Sequence, residues 1–303
     1  MASIVTWPNN GFESYFEYVS SFVHLNINLG SPEACKRYHD SWLPRYRHLL
    51  EGASALEVAI WCVRCRQALK LSFSATYFAL SANDARDIKC SASAYYLDYY
   101  AMLHAMWAVL FLHPNESLEA LTDITHSKIA NVFDSCFCKG AEPVLRYDAI
   151  TLAEDMRFLR EYYSYRMPLN SPLTTHPKLA GARVNLGGFV KQCIQLANLH
   201  SHLIRKAAER VEITGTKIPD ADCGAFRDAF FRINGKEHSS RKLRLLDPAD
   251  QETLDEYISQ GCDLLPLSLE YEHMYDNFMT YADGTQPEEA VIQMTRQLVG
   301  NAF

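Results

Sequence analysis

Residues 91–112, SASAYYLDYYAMLHAMWAVLFL, constrain this chain more than any other stretch. The run is apolar almost throughout, carries four tyrosines, and holds one carboxylate, Asp98, and one histidine, His104. As a helix it is just long enough to cross a bilayer. Three features oppose that reading. A carboxylate in mid-span is costly. No cluster of lysine or arginine flanks the run, and no second apolar run accompanies it. What remains is a helix buried on several faces inside a bundle. Tyrosine suits such a helix where the ring is buried and the hydroxyl reaches a polar partner. Ser91, Tyr95, Asp98 and Met102 share one stripe at spacings of three and four. A buried Asp98 needs a hydrogen bond or an ion pair, and Arg157 or Arg160 is the expected partner. His104 reads as a satisfied core histidine.

The 303 residues can hold one large domain or two small ones. An apolar content of 48% supplies a sizeable core. A net charge of −7 argues against a general affinity for nucleic acid or anionic lipid, while leaving room for a local basic patch. The nine cysteines lack the regular spacing of a secreted disulfide scaffold. The first residues, MASIVTWPNNGFESYF, show no basic region followed by an apolar one, so no signal peptide is expected. The expected setting is the reducing cytoplasm.

Most of the chain reads as helix. Aromatics recur at helical spacing over 12–23. Ser31-Pro32-Glu33 is a helix start, and the helix runs toward Leu50 and Gly52. A longer, central helix is expected from Ser54 to about Leu80, then a polar break over 81–90. Further helices are expected over 91–112, 125–137, 148–165 and 182–211, the last interrupted at Gly187-Gly188. Three prolines mark 167–180 as an irregular connection. After Val211 the character changes. Residues 211–219 have a weak strand pattern, and Asn234-Gly235 signals a hairpin turn. Asp247-Pro248 opens another helix, and 288–300 forms a last one. Soft boundaries fall near 53 and 215, giving a helical extension over 1–52, a bundle over 53–215 and a C-terminal helical region over 216–303.

Four segments, taken in order, carry a family resemblance. The helix 54–80 is followed by SAYYLDYYAMLHA (93–105), by Thr125-His126-Ser127, and by Leu159-Arg160-Glu161-Tyr162-Tyr163-Ser164-Tyr165. Together they resemble the helical bundle of HEPN domains, found in prokaryotic toxin–antitoxin and defence proteins. Helix 182–211 would close that bundle. The resemblance covers about 53–215, and the flanking regions resemble nothing that can be named. It implies a mainly α fold with a HEPN-like four-helix bundle, a helical N-terminal extension and a small C-terminal region of helix and hairpin. It also implies a protein partner or a homodimer through bundle helices, with RNA or a nucleotide as a further ligand. No cofactor and no membrane are expected.

Active ribonucleases of that family pair an arginine with a histidine four to six residues on. The histidine moves protons while the 2′-hydroxyl of the RNA attacks, and the arginine holds the phosphate. Here Arg160 is present, but Tyr165 or Arg166 occupies the histidine position. Tyrosine, with a free pKa of about 10, is a poor base at neutral pH. One arginine–histidine spacing does occur, at Arg232 and His238, outside the bundle. Around it lie Lys236, Arg241, Lys242 and Arg244, a basic cluster suited to phosphate or RNA. His126, after the cap-type residue Thr125, reads as a polar residue of a first helical turn.

Metal ligation has weak support. Cys62 and Cys65 have zinc-like spacing but sit in an apolar helix, where cysteine acts as a small hydrophobe. Cys136 and Cys138 could add ligands. His200 and His202 point apart on a helix. No phosphate-binding glycine loop, nucleophile elbow or HExxH appears. The expectation is therefore a HEPN-like accessory or effector subunit acting by binding. Its rivals are an active metal-independent endoribonuclease and a structural helical interaction protein.

Overall fold

The computed structural model describes residues 11–16, 21–140, 143–166, 168–169, 186–213, 217–271, 293, 296–297 and 299–303. In chain order the elements are α1 (Val23–Leu29), α2 (Pro32–Leu50), α3 (Ala55–Asp87), α4 (Ser91–Phe111), α5 (Leu118–Thr122), α6 (His126–Phe133), α7 (Ala149–Arg166), α8 (Leu186–Arg210), α9 (Cys223–Asn234), β1 (Lys236–His238), β2 (Leu243–Leu245) and α10 (Pro248–Gln260). The fold is mainly α. No described helix is long and apolar enough to cross a membrane.

Helix starts follow local chemistry. Ser31 Oγ accepts the Ala34 N–H, and Pro32 fills the first turn of α2. Ser54 and Glu57 form a reciprocal capping box on α3. Thr125 Oγ1 accepts the Lys128 N–H at 3.3 Å and fixes the start of α6.

Several sequence expectations need correction. Residues 12–23 are not one helix. Phe12–Tyr15 form a 3-10 turn and α1 begins only at Val23. Side-chain acceptors hold this segment out of helix: the Phe12 N–H goes to Asn26 Oδ1 and the Phe22 N–H to Glu13 Oε1. The polar stretch 81–90 does not break α3, which continues to Asp87. Ala82 and Ala85 face inward while Asn83, Asp84, Arg86 and Asp87 face water, so the stretch is an amphipathic turn. The break is confined to Ile88–Cys90, with Lys89 at φ 63°. Gly187 and Gly188 lie in the first described turn of α8 and do not interrupt it. Residues 211–213 and 217–219 form no strand. Instead the Ile213 N–H returns to the Ala208 carbonyl at 2.9 Å and closes α8.

The hairpin exists, but its turn is Ser239–Lys242, with Lys242 at φ 49°. Asn234 ends α9, and Gly235 lets the backbone pass close to Phe231, whose ring a Cβ there would meet at 2.3 Å. The 167–180 connection falls almost wholly outside the described residues, as does most of 288–300.

Helix α4 is the hub. It packs against α3, α6, α7 and α8, and α3 also packs on α8. Of the other three helices expected in the bundle, α3, α7 and α8 each pack on this tyrosine-rich helix. Helix α2 covers α8, and α9 lies on α3.

Three buried polar clusters fix these contacts. Arg64 of α3 makes no ion pair with a carboxylate among the described residues. Its guanidinium donates to the carbonyls of Phe111, Glu116 and His113 at 2.7, 2.9 and 2.9 Å, and it covers the Trp61 ring at 3.8 Å. These are the end of α4 and the turn after it, where a cation also meets the negative pole of the helix dipole. Asp250, in the first turn of α10, is shared by Arg66 and Lys70 of α3, and Lys70 also reaches Asn234 at 3.0 Å. This joins the C-terminal region to the bundle.

The third cluster centres on His200 of α8. Its Nδ1 lies 2.7 Å from the Tyr46 hydroxyl and its Nε2 lies 2.9 Å from that of Tyr38. Tyr46 also donates to the Leu112 carbonyl at 2.7 Å. A phenol has one proton, so His200 Nδ1–H must donate to Tyr46 and Nε2 must accept from Tyr38. Burial holds the imidazole neutral, well below the usual histidine range.

Candidate functional site

A cleft of about 220 Å³ opens between α4, α6 and α7. Each helix contributes for a local reason. Helix α4 presents Tyr99 one turn from Tyr95, with its ring buried. The Thr125 cap starts α6 at its edge, which puts His126 and Ser127 in the first turn. Helix α7 supplies Arg157 and Arg160, three residues apart and so on one flank.

The side chains interlock. His126 Nδ1 lies 2.8 Å from the Tyr99 hydroxyl. The Arg160 guanidinium sits over the Tyr99 ring, 4.4 Å from its centroid. One Arg160 nitrogen donates to Glu161 Oε1 at 3.3 Å, while its buried Nε–H has no acceptor. Arg157 is exposed and makes no hydrogen bond or ion pair among the described residues. Glu154 adds a carboxylate to the lining.

The electrostatics follow from this packing. Burial, then the positive charge of Arg160, pulls the His126 pKa below the ordinary histidine value. The imidazole is therefore mainly neutral near pH 7. Burial pushes the Tyr99 phenol up, against the opposing pull of Arg160. With Nδ1 occupied by Tyr99, His126 keeps Nε2 free of partners among the described residues. Two guanidinium groups, a neutral imidazole and the Ser127 hydroxyl around an aromatic floor form a place where an anion can be held. The free imidazole nitrogen can also take or give a proton.

The other sequence candidates lie elsewhere. Tyr165 is 76% exposed at the end of α7 and does not line the cleft. Arg232 is taken up by α5 and the residue after it, bonding Thr122 Oγ1, Asp123 and Glu119 at 3.1, 3.1 and 3.3 Å. His238 stands in β1, and its Nδ1 contacts Ser240 at 3.1 Å. Arg244 lies over Phe231 at 3.8 Å and pairs with Asp228. Lys236, Arg241 and Lys242 are exposed on the hairpin.

Asp98 is buried as expected of its stripe, but its partner is Arg86 at the end of α3, neither Arg157 nor Arg160. Those two arginines face the cleft instead. His104 is half-buried, and its Nδ1 lies 2.9 Å from the Ser74 hydroxyl. His126, read as a first-turn polar residue, is exposed and borders the cleft. Cys62 and Cys65 are buried thiols, both pushed up by burial. No group that could hold a metal occurs among the described residues.

Sequence reasoning passed over Tyr99 as a site residue and gave Arg157 another task. A signal for both existed: Arg157 and Arg160 share a helix flank, and the Thr125 cap fixes where His126 must sit. Searches for similar proteins found no match among family models, curated proteins or solved structures.

Proposed function

We propose that this chain is a HEPN-like accessory or effector subunit of a prokaryotic defence or toxin–antitoxin type system. In this reading the cleft between α4, α6 and α7 binds the phosphate of an RNA or a nucleotide, and bundle helices dock a protein partner. One observation carries it. Three segments distant in sequence, the tyrosine-rich helix, Thr125-His126-Ser127 and the LREYYSY helix, bring Tyr99, His126 and Arg160 to a single cleft. The buried, unpaired Arg160 Nε–H and the unpaired Arg157 are donors in want of an acceptor.

A second reading, a metal-independent endoribonuclease, is favoured by His126. It places an imidazole beside Arg160 from a different helix, although Tyr165 replaces the histidine expected on α7. His126 Nε2 would take the 2′-hydroxyl proton as that oxygen attacks phosphorus, the bond from phosphorus to the 5′-oxygen would break, and that oxygen would leave as a 5′-hydroxyl with a proton from water, giving a 2′,3′-cyclic phosphate while Arg160 holds the phosphate.

Fluorescence anisotropy with a labelled single-stranded RNA, competed by nucleotides, tests the first reading. Arg160→Ala or Arg157→Ala should weaken binding roughly tenfold each, with a smaller salt dependence. Binding unchanged in both variants refutes the cleft as the site. Cleavage in EDTA, abolished by His126→Ala with binding kept within a few-fold, would establish the second reading. No cleavage by the wild-type chain removes it.

A further inference from the structure

The hairpin of β1 and β2 has two unlike faces. Lys236 pairs with Leu245 and His238 with Leu243, so these four side chains share one face, while Glu237 and Arg244 share the other. Arg244 fixes which face looks inward. It lies over Phe231 of α9 at 3.8 Å and pairs with Asp228 at 3.5 Å. Lys236, His238, Leu243 and Leu245 therefore point away from α9, and all four are exposed. The two leucines are 46% and 53% exposed. Arg241 and Lys242 sit in the turn, also exposed. Lys236, Arg241 and Lys242 make no ion pair among the described residues. Glu237, the one carboxylate of residues 236–245, is on the inward face. A chain of net charge −7 thus turns outward a patch of cations around two leucines.

We propose that this face docks the protein on an anionic lipid surface, with Lys236, Arg241 and Lys242 on headgroup phosphates and Leu243 and Leu245 in the acyl boundary. Charge complementarity and the leucines together select this occupant. A nucleic acid held by its phosphates alone would leave both leucines in water, and residues 236–245 hold no Phe, Tyr or Trp on which a base could stack. Two leucines fall far short of the roughly 800 Å² a side that a stable protein interface takes. A lipid surface asks for neither a matched shape nor a large area, only apolar depth and positive charge. Each lysine or arginine near an anionic leaflet is worth roughly fivefold in partitioning, so Lys236, Arg241 and Lys242 together give about a hundredfold. The leucines add apolar burial, which salt does not screen. Docking of this kind is peripheral and needs no spanning helix. It goes beyond the cleft and does not rest on the cleft's ligand.

Cosedimentation of the full chain with vesicles of phosphatidylcholine containing about one-third phosphatidylserine tests it. The wild type should bind these vesicles, bind them roughly tenfold more weakly in about 1 M salt, and leave pure phosphatidylcholine vesicles unbound. Arg241→Glu combined with Lys242→Glu should weaken binding roughly a hundredfold. Leu243→Ser combined with Leu245→Ser keeps every charge and should weaken it roughly tenfold. These positions are exposed, so both variants should keep the wild-type circular dichroism melt. No binding by the wild type, equal binding to the two kinds of vesicle, or binding untouched by either pair of changes overturns the proposal. Capture of a labelled RNA or an acidic peptide through the same residues, with vesicles left unbound, overturns it as well. Arg160→Ala should bind vesicles as the wild type does, so failure of the cleft reading and failure of this one are told apart.

Discussion

Mild acid should unfold this protein through its buried histidines. His113 and His202 are 5% and 3% exposed, and burial holds both pKa values down to about 4. Arg45 and Arg64 reinforce the shift at His113. In the unfolded chain each titrates near 6.5. The folded pKa is the lower one, so below pH 6.5 the unfolded state binds more protons than the folded state. Stability is then full above pH 6.5 and is lost as pH falls toward 4. With these values each histidine costs about 2 kcal/mol at pH 5, roughly 4 kcal/mol for the pair. That is a large share of a typical folding free energy of about 5–15 kcal/mol. His104, also held at about 4, and His200, which burial holds well below the ordinary histidine value, act in the same direction. The carboxylates with lowered pKa values, such as Glu57 and Asp148, lose their contribution only below about pH 4.5. Asp98, whose carboxyl burial raises, acts against this trend, so urea midpoints measured at half-unit steps from pH 7 to 4.5 report the histidines against that opposing carboxylate. The midpoint should fall steadily through this window. His113→Gln keeps an acceptor for the Asn115 N–H and removes one titrating group, so it should flatten the slope. A midpoint constant from pH 6.5 to 4.5 would refute the reasoning.

Two further perturbations probe the buried ion contacts. Arg64→Met keeps most of the apolar stem but strips the donors from three carbonyls. A loss of about 3–5 kcal/mol in guanidinium unfolding is expected, with Arg64→Lys recovering only part of it. A loss under about 1 kcal/mol would mean water satisfies those carbonyls. Asp250→Ala leaves Arg66 and Lys70 without their shared carboxylate and should cost about 3–5 kcal/mol. Limited proteolysis should then cut the C-terminal region first, and an unaltered cleavage pattern would argue against Asp250 as its anchor.

Much of the fold was legible because it is written in periodicity and caps. The Ser31, Ser54, Thr125 and Asp247 starts were all readable, since a side-chain oxygen before an apolar repeat has few other uses. The misreadings have common physical causes. The 12–23 aromatics follow helical spacing, yet Glu13 and Asn26 compete for the backbone donors, a contest decided by tertiary placement. The polar stretch 81–90 looked like a break because composition was weighed over pattern. Ala82 and Ala85 carried the inward face, and alanine is a quiet signal. Asn234-Gly235 has turn chemistry, but the preceding phenylalanines Phe226 and Phe230 are buried and extend α9 to its end. The site was legible only in parts. Thr125-His126-Ser127 and Arg160 could be picked out one by one. That Tyr99 joins them depends on how α4, α6 and α7 cross, and helix spacing alone does not encode a crossing. The Asp98–Arg86 pair escaped for the opposite reason, since the helix was expected to end before Arg86.

The hydrogen-bond chain from Tyr38 through His200 and Tyr46 to Leu112 has a direction. Every proton in it points one way, because the carbonyl at its end can only accept. Helix α2 thus meets α8 and the end of α4 with a sense built in, unlike an oily contact that tolerates sliding. A slip of α2 by one turn would strand a phenol and an imidazole in a dry interior. The cluster therefore works as a key for alignment: apolar burial brings the three elements together, and this chain accepts one register among those that burial alone would allow.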